Sequence, residues 1–283
     1  MNITFDRRRA LKLIAGSGVT CATCVALGQA HAAEKKGHGA PAPAPAAAPA
    51  AEASAHGGPG AWSYEGASSP EHWGELSPGF KSCDLGVQQS PVDLSTPIQT
   101  NLGEVQIHWR SMTPAVVNNG RTIQVNTPKD NFIVLEGERF DLLQFHFHHP
   151  SEHLVSGRSH AMEVHFVHKS EAGALAVIGV FLTPGRENTA LQTIWDVMPQ
   201  AADATAKTGS TIRPADLLPV DRNYFRYAGS LTTPPCSEIV NWVVYRAPIE
   251  ASDAQITKFA HLFPMNARPA QRLHRRFLLM GRS

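Results

Sequence analysis

Apolar and polar residues alternate along much of the chain beyond residue 100, and this period of two is typical of β-strands with one buried face. The run 174–182 is apolar on both faces, so it predicts a central strand that is covered on both sides. An Asn-Asn-Gly sequence at 118–120 predicts a turn between two of the runs. Eight runs are predicted to be strands: residues 105–109, 115–118, 121–126, 132–135, 140–148, 161–168, 174–182 and 239–246.

Two segments have the features of a helix. Apolar residues recur at three- and four-residue spacing from Leu191 to Met198, with Asn188 or Thr189 as the N-cap. Residues 252–255 (Ser-Asp-Ala-Gln) form a capping box, which predicts a helix that ends near residue 262. We therefore predict a mainly β (α+β) fold, in which a single domain has a large, mostly antiparallel sheet and a few short peripheral helices.

The first 61 residues differ from the rest in composition. Arginines and a lysine at 7–12 precede an apolar stretch at 13–27, and Ala30-His31-Ala32 fits a cleavage site. Residues 1–32 are therefore predicted to be a twin-arginine-like export signal. Residues 33–61, rich in Ala, Pro, Gly and His, predict a disordered linker because they have too few apolar side chains to offset ordering entropy. Residues 62–283 remain as one folded domain.

The charge balance excludes some classes of partner. With 25 Lys and Arg against 24 Asp and Glu, the formal net charge is +1, so nothing points to nucleic acid or an anionic membrane surface. The apolar stretch in the predicted signal is short and contains Gly, Ser and Thr, so no stable membrane span is expected after its removal. The protein is expected to be exported, periplasmic or secreted, as a monomer or a dimer.

Two cysteines remain after the predicted signal, Cys83 and Cys236. An exported protein meets an oxidising compartment, where a disulfide between them is expected. Two buried free thiols are the alternative at this point.

Histidines with strand spacing are the main candidate for chemistry. His146 and His148 point to one face of their predicted strand, and the two phenylalanines beside them point to the other. His165, in a neighbouring predicted strand, supplies a third imidazole. Three nitrogen ligands leave a tetrahedral zinc ion one open position, which is typical of a catalytic site. The pattern therefore predicts a zinc enzyme that acts through a bound water.

The alternation of side chains between the two faces of a strand separates these three histidines from others nearby. His149 falls on the face opposite His148, and His168 falls on the face opposite His165. The alternative interpretation is that all of these histidines are ordinary, partly buried polar residues of a sheet.

Two polar residues share the face of the three imidazoles. Gln144 lies two residues before His146, and Glu163 lies two residues before His165. A metal-bound imidazole usually donates its other ring N–H to such a group, which fixes its orientation. Gln144 and Glu163 are therefore predicted to orient two of the ligands.

From about residue 62 to residue 271 the chain resembles the α-class carbonic anhydrases. Eight separate motifs in the order of that family carry the resemblance: Trp62-Ser63-Tyr64, Gln89-Ser90-Pro91-Val92-Asp93, Asn118-Asn119-Gly120, Gln144-Phe145-His146-Phe147-His148, Ser151-Glu152-His153, Glu163-Val164-His165-Phe166-Val167-His168, Gly229-Ser230-Leu231-Thr232-Thr233-Pro234-Pro235-Cys236 and Asn266-Ala267-Arg268-Pro269-Ala270-Gln271. The resemblance implies one domain around a central, largely antiparallel ten-stranded sheet.

The resemblance also implies a role for each matching residue. One Zn²⁺ per chain is expected on three ligands: His146, His148 and His165. Their orienting partners are expected to be Gln144 and Glu163. The catalytic pair is expected to be Thr232 and Glu152. The substrate pocket is expected to be lined by Val167, Val177, Leu231, Thr233, Val240 and Trp242. The polar wall that orders solvent is expected to be Tyr64, Asn119 and Gln124. A disulfide is implied between the matching positions Cys83 and Cys236.

The activity that the resemblance implies is reversible hydration of carbon dioxide to bicarbonate and a proton. Zinc-bound hydroxide attacks the carbon dioxide, and the same hydroxide implies a weak esterase side activity. Thr232 is expected to accept a hydrogen bond from the hydroxide and to pass its own proton toward Glu152. Carbon dioxide has no charge to bind, so the chemistry needs an apolar pocket beside the nucleophile.

One position departs from the family pattern. Fast members carry a histidine after the Asn-Asn-Gly motif, whereas this chain has Arg121. Histidine can carry the proton away from the zinc site because its pKa lies near 7, but arginine stays protonated and cannot accept it. The shuttle role is therefore not expected of Arg121. Proton release is expected to be slower, or to use another group such as His72, His149 or water.

Two other functions fit the sequence less well. A catalytically silent binding module on the same fold typically lacks one or more zinc histidines, and all three are present here. A zinc hydrolase of unrelated fold predicts a His-Glu-x-x-His motif, which the sequence does not contain.

Overall fold

The computed structural model describes residues 60–281. The predicted export signal and all but the last two residues of the predicted linker lie outside the described residues. Within residues 60–281, no helix is long and apolar enough to cross a membrane.

Thirteen strands of the described chain form one sheet. Their bounds are β1 (Ile98–Gln99), β2 (Gln106–His108), β3 (Ala115–Asn118), β4 (Ile123–Asn126), β5 (Phe132–Leu135), β6 (Glu138–His148), β7 (Met162–Ser170), β8 (Leu175–Pro184), β9 (Ala204–Lys207), β10 (Tyr224–Gly229), β11 (Val240–Tyr245), β12 (Ile249–Ala251) and β13 (Leu279–Gly281). Ten of them follow the order β1-β13-β10-β11-β8-β7-β6-β4-β3-β9. All pairings are antiparallel except β1 with β13, β11 with β8 and β12 with β8.

The predicted count of ten strands is wrong, because the two longest strands each take two partners along one edge. The first part of β6 pairs with β5 and its last part pairs with β4. In the same way β8 pairs first with β11 and then with β12. Strand β2 adds to the outer edge of β5. The largely antiparallel character of the sheet is confirmed.

The helices are short and lie outside the sheet. They are α1 (Trp73–Leu76), α2 (Ser82–Leu85), α3 (Thr189–Trp195) and α4 (Asp253–Leu262), with single 3₁₀ turns at Gly66–Ser68, Pro78–Phe80 and Pro214–Leu217. Both predicted helices are confirmed, since the Asn188 side chain accepts from the Leu191 amide and Ser252 with Gln255 completes a capping box.

All eight predicted strands are present, with ends shifted by up to two residues. Five strands were not predicted: β1, β9, β10, β12 and β13. Three of these have two or three residues, too few to show a period. In β10, Tyr224, Phe225 and Tyr227 are buried, so aromatic enrichment was the signal that could have found it.

The central strands separate two apolar layers. One face of β6, β7 and β8 packs into the larger core together with α3 and α4, through residues such as Phe147, Phe166 and Trp195. The other face carries a smaller cluster around Val177 and Trp242. As predicted, the first eight residues of β8 are all buried.

A β-bulge in β6 decides which residues face each layer. The register with β7 shifts between Leu142 and Gln144, and a bulge of this kind reverses the alternation that follows it. Leu142 before the bulge and Phe145 after it both point into the larger core. The even-numbered residues after the bulge therefore face the other layer.

Candidate active site

Three imidazoles meet on the face of the smaller apolar layer. His146 on β6 lies directly opposite His165 on β7, and His148 follows two residues along β6. One nitrogen from each of the three rings lies within 4.8 Å of the others. β7 and β6 are the sixth and seventh strands in the ten-strand order, so the cluster sits in the middle of the sheet.

Each imidazole has a partner on the side away from the cluster. His146 Nδ1 lies 2.8 Å from Gln144 Oε1, and His148 Nδ1 lies 2.7 Å from the backbone carbonyl oxygen of Asn266. His165 Nε2 is 3.0 Å from Glu163 Oε1, a close contact whose angle is poor for a hydrogen bond. These contacts leave Nε2 of His146, Nε2 of His148 and Nδ1 of His165 for the cluster.

The cluster has the properties of a divalent cation site. His148 Nε2 is buried and has no hydrogen-bond partner among the described residues. Burial lowers the pKa of His148 to about 4, and burial is also the main cause that lowers the pKa values of His146 and His165. All three rings are therefore neutral near pH 7, which leaves their lone pairs available to a metal ion. The residues present fit a metal ion with imidazole ligands.

A second group of His153, Glu163 and His165 is equally close together but is better explained by hydrogen bonding. His153 Nδ1 is 2.7 Å from Glu163 Oε1, and His153 Nε2 is 2.6 Å from the hydroxyl of Tyr227. Both ring nitrogens of His153 therefore already have a hydrogen-bond partner and are not available to a metal ion. Burial raises the pKa of Glu163, but its contacts with His153 and His165 outweigh burial and hold that pKa well below its usual range.

Glu152 and Thr232 lie beside the imidazoles. Glu152 is buried, with Oε1 3.5 Å from His148 Nδ1 and Oε2 3.8 Å from His165 Nδ1. The Thr232 side chain lies beside Glu152 and acts to lower the pKa of that carboxyl, and the Arg268 backbone amide donates to Glu152 Oε1 at 2.9 Å. Burial raises the pKa of Glu152 to about 7, although His165, the Arg268 amide and Thr232 each act to lower it. A cation in the cluster would favour the ionised carboxylate.

Five of the six residues predicted to line the substrate pocket form an apolar strip. Val167, Val177 and Trp242 lie side by side across β7, β8 and β11. Val240 belongs to the same cluster, and Leu231 packs against it. The Trp242 ring meets the His165 ring edge-on at 4.9 Å, so the strip borders the imidazoles. Thr233, also predicted here, is half-buried and follows Thr232 in the loop after β10.

Of the three residues predicted to form the polar wall, Gln124 lies on the side of β6 away from the apolar strip. Gln124 on β4 is the direct neighbour of His146. Burial and, to a lesser extent, the charge of Glu152 raise the Tyr64 pKa well above its usual range. Asn119 Oδ1 accepts the backbone amide of Arg121 at 3.1 Å, so Asn119 shapes the turn that carries Arg121.

A disulfide joins Cys83 to Cys236, as expected from the sequence. Cys236 lies four residues after Thr232, and its amide donates to the Thr233 carbonyl at 2.9 Å. The bond therefore attaches the loop that carries Thr232 to helix α2.

The sequence interpretation assigned no role to several residues that hold the site. Asn266 and Arg268 approach His148 and Glu152 through backbone groups, and Ser90 and Tyr227 extend the contacts of His153. Asn266, Arg268 and Ser90 belong to motifs that carry the family resemblance, which was the available signal. A backbone contact, however, does not depend on residue type, so no local pattern reveals it.

The chain is similar to one family of known proteins over most of its length. A family model described as eukaryotic-type carbonic anhydrase matches residues 68–280. The carbonic anhydrase of Nostoc sp. is 44% identical over 224 residues, covering 77% of this chain and 85% of the relative. That of Klebsiella pneumoniae is 44% identical over 221 residues, covering 77% of this chain and 90% of the relative.

Solved structures agree with the sequence relatives. The α-carbonic anhydrase of Thermovibrio ammonificans, in complex with the inhibitor sulfanilamide, matches with a TM-score of 0.77 and 43% identity, covering 78% of this chain and all (100%) of that one. Dioscorin complexed with ascorbate matches with a TM-score of 0.72 and 28% identity, covering 78% of this chain and 98% of that one.

Proposed function

Because the chain belongs to the eukaryotic-type, or α-class, carbonic anhydrase family, we propose that its three-imidazole cluster is the centre of carbon dioxide hydration. The reaction is the reversible conversion of carbon dioxide and water to bicarbonate and a proton. The observation that carries the proposal is the convergence of three neutral imidazoles beside the Thr232–Glu152 pair and an apolar strip.

His146, His148 and His165 would hold one Zn²⁺ per chain. Zinc on three imidazoles lowers the pKa of a bound water to about 7, a figure that is the general value for carbonic anhydrases and not one obtained for this chain. The contacts of Gln144, Asn266 and Glu163 support the assignment because each one fixes the orientation of one ring.

Thr232 and Glu152 direct the reacting oxygen. In the proposed arrangement Thr232 donates its hydroxyl proton to Glu152, whose pKa it acts to lower, so the Thr232 oxygen is left as an acceptor. An acceptor at this place turns the hydrogen of the reacting water toward Thr232 and its lone pair toward the substrate. The Arg268 amide supports this arrangement because it fixes Glu152 Oε1.

The apolar strip is the proposed resting place of carbon dioxide. Val177 is 2% exposed and lies between Val167 and Trp242. A neutral, linear molecule gains from displacing water here, whereas bicarbonate is charged and leaves more readily. Thr233 would lie at the edge of this pocket, and the side chains of Tyr64, Asn119 and Gln124 would order solvent. A weak esterase side activity follows from the same nucleophile.

Export to the periplasm or the medium is part of the proposal. The disulfide supports an oxidising compartment, and the predicted export signal at 1–32 and linker at 33–61 would precede a catalytic domain at 62–283. A silent binding module is less well supported, because the candidate ligands and the Thr232–Glu152 pair are all present.

Metal analysis and stopped-flow carbon dioxide hydration on the same samples test the proposal. The wild type is expected to contain one zinc per chain and to hydrate carbon dioxide. His148→Ala is expected to lose both properties and keep its fold by circular dichroism. His261→Ala, which changes an exposed histidine of α4, is the matched control and should resemble the wild type. A metal-free, inactive wild type would overturn the proposal.

A further inference from the structure

Each oxygen of the Glu163 carboxylate has two close polar contacts. Oε2 accepts the backbone amides of Glu152 and His153, both at 2.9 Å. Oε1 lies 2.7 Å from His153 Nδ1 and 3.0 Å from His165 Nε2. The position of His165 therefore depends on a carboxylate that His153 holds in place.

From His153 the contacts continue to a second part of the site. His153 Nε2 lies 2.6 Å from the Tyr227 hydroxyl, which donates to Ser90 Oγ at 3.0 Å. Ser90 and Ser230 then exchange reciprocal bonds, each amide donating to the other's Oγ at 2.9 and 3.0 Å. Ser230 lies two residues before Thr232. One series of contacts thus leads from His165 to the segment that carries Thr232.

The series is closed to water. His153, Ser90 and Ser230 are 0% exposed, and Tyr227 is 2% exposed, so a lost partner is not replaced by bulk solvent. Burial raises the Tyr227 pKa well above its usual range, so the hydroxyl keeps its proton. The Tyr227 ring stacks on Trp242 with an angle of 5° between the planes. Buried, fully satisfied networks of this kind are rigid.

We propose that Tyr227 is a positioning residue that couples His165 to the Thr232 segment, through His153 and Glu163 on one side and through Ser90 and Ser230 on the other. It touches neither the metal position nor the substrate pocket through its hydroxyl, so its effect is indirect. The inference deepens the proposed function and rests on the metal centre described there.

Removal of the Tyr227 hydroxyl leaves a ring nitrogen of His153 buried without a partner. His153 then holds Glu163 less firmly, and His165 loses part of its orientation. Loss of a group that directly contacts a ligand typically costs 10- to 100-fold in metal affinity. Because Tyr227 is two contacts further away, we expect zinc release to a chelator to be about 3- to 10-fold faster in Tyr227→Phe.

The experiment compares Tyr227→Phe with Tyr224→Phe. Tyr224 is a buried tyrosine of the same strand, and its hydroxyl donates to the Gly103 carbonyl at 3.1 Å, in a different region. Both variants lose one buried hydroxyl, so Tyr224→Phe calibrates the general loss of stability. The measurements are the rate of zinc release from the holoenzyme, kcat/KM at saturating zinc and the thermal midpoint.

Ser90→Ala and the double variant Tyr227→Phe/Ser90→Ala complete the test. Coupled residues give non-additive effects, so the double variant should release zinc at nearly the same rate as the single variant that releases it faster. In this series of variants kcat/KM should fall together with zinc retention. Zinc release from Tyr227→Phe no faster than from Tyr224→Phe would overturn the inference, as would additive effects with Ser90→Ala. A wild type that binds no zinc would instead overturn the proposed function, and the inference with it.

Discussion

The guanidinium carbon of Arg121 lies 4.0 Å from the ring centroid of Trp62, and its Nη2 donates to the Trp62 carbonyl at 3.1 Å. Burial lowers the Arg121 pKa, whereas the charges of Tyr64 and Asp203 act to raise it. Arginine nevertheless stays protonated in proteins. The side chain at this position is therefore held in a cation–π contact and cannot accept a proton from the site.

Arg121→His is expected to increase turnover by about tenfold in weak buffer, because imidazole can accept and release a proton near pH 7. The measurement is kcat against the concentration of a small imidazole buffer. The wild type should respond strongly to added buffer, and Arg121→His should respond less. Arg121→Gln, which removes the charge without adding a titrating group, is the control. A full wild-type rate with no buffer response contradicts this prediction.

Thr232→Val is expected to reduce kcat/KM by on the order of a hundredfold, because the reacting oxygen loses its acceptor and its orientation. Zinc content should not change, since Thr232 is not a predicted ligand. Thr232→Ser keeps the hydroxyl and should retain most of the activity. Equal rates for the valine and serine variants would show that the Thr232–Glu152 hydrogen bond has no role in catalysis.

Val177→Phe is expected to fill the apolar strip between Val167 and Trp242 and to reduce kcat/KM for carbon dioxide by on the order of a hundredfold. Val177→Ala is the matched control, because it widens the same space and leaves room for the substrate. Zinc analysis on both variants separates a blocked pocket from a damaged metal centre. Wild-type rates in the phenylalanine variant would place the substrate elsewhere.

Loss of the disulfide is expected to reduce both stability and activity. The two cysteines are 153 residues apart, and the chain-entropy estimate for a loop of this length is at most about 5 kcal/mol. Activity should also fall, because Cys236 attaches the Thr232 loop to α2. The thermal midpoint and kcat/KM are measured with and without a reductant. The Cys83→Ser/Cys236→Ser variant is the control and should show no response to the reductant.

His168 makes the stability depend on pH. Its ring is fully buried, Nδ1 is 3.2 Å from the Ala176 carbonyl oxygen, and burial lowers its pKa from 6.5 to about 3. Below pH 6.5 the unfolded chain binds a proton at His168 and the folded protein does not. The contribution to stability is therefore present above pH 6.5 and is lost as the pH falls toward 3, by about 1.4 kcal/mol per pH unit.

Urea unfolding between pH 7 and pH 4.5 measures this contribution as the difference between the wild type and His168→Gln. The variant lacks the titrating group, so its unfolding free energy should fall less steeply with decreasing pH. His261→Gln, at an exposed position of α4, should follow the wild-type slope. Parallel curves for wild type and His168→Gln would contradict the prediction.

Local patterns were sufficient for much of the fold. The alternation of apolar residues found β3, β5 and the central strands, because each side chain reports the burial of its own face. The capping residues Asn188 and Ser252 located both longer helices for the same local reason. Strands β1, β12 and β13 were not found, because two or three residues gain their strand geometry only from the neighbour with which they pair.

By itself the sequence determined which side chains can form the site. Strand parity put His146 and His148 on one face, and the family motifs named Thr232, Glu152 and the apolar residues. Only the tertiary structure decided how they are held. The bulge in β6 brings residues on both sides of it into one core, and the Asn266 carbonyl meets His148 across 118 residues of chain. Backbone carbonyls are the same in every residue, so such long-range contacts leave no trace in a local pattern.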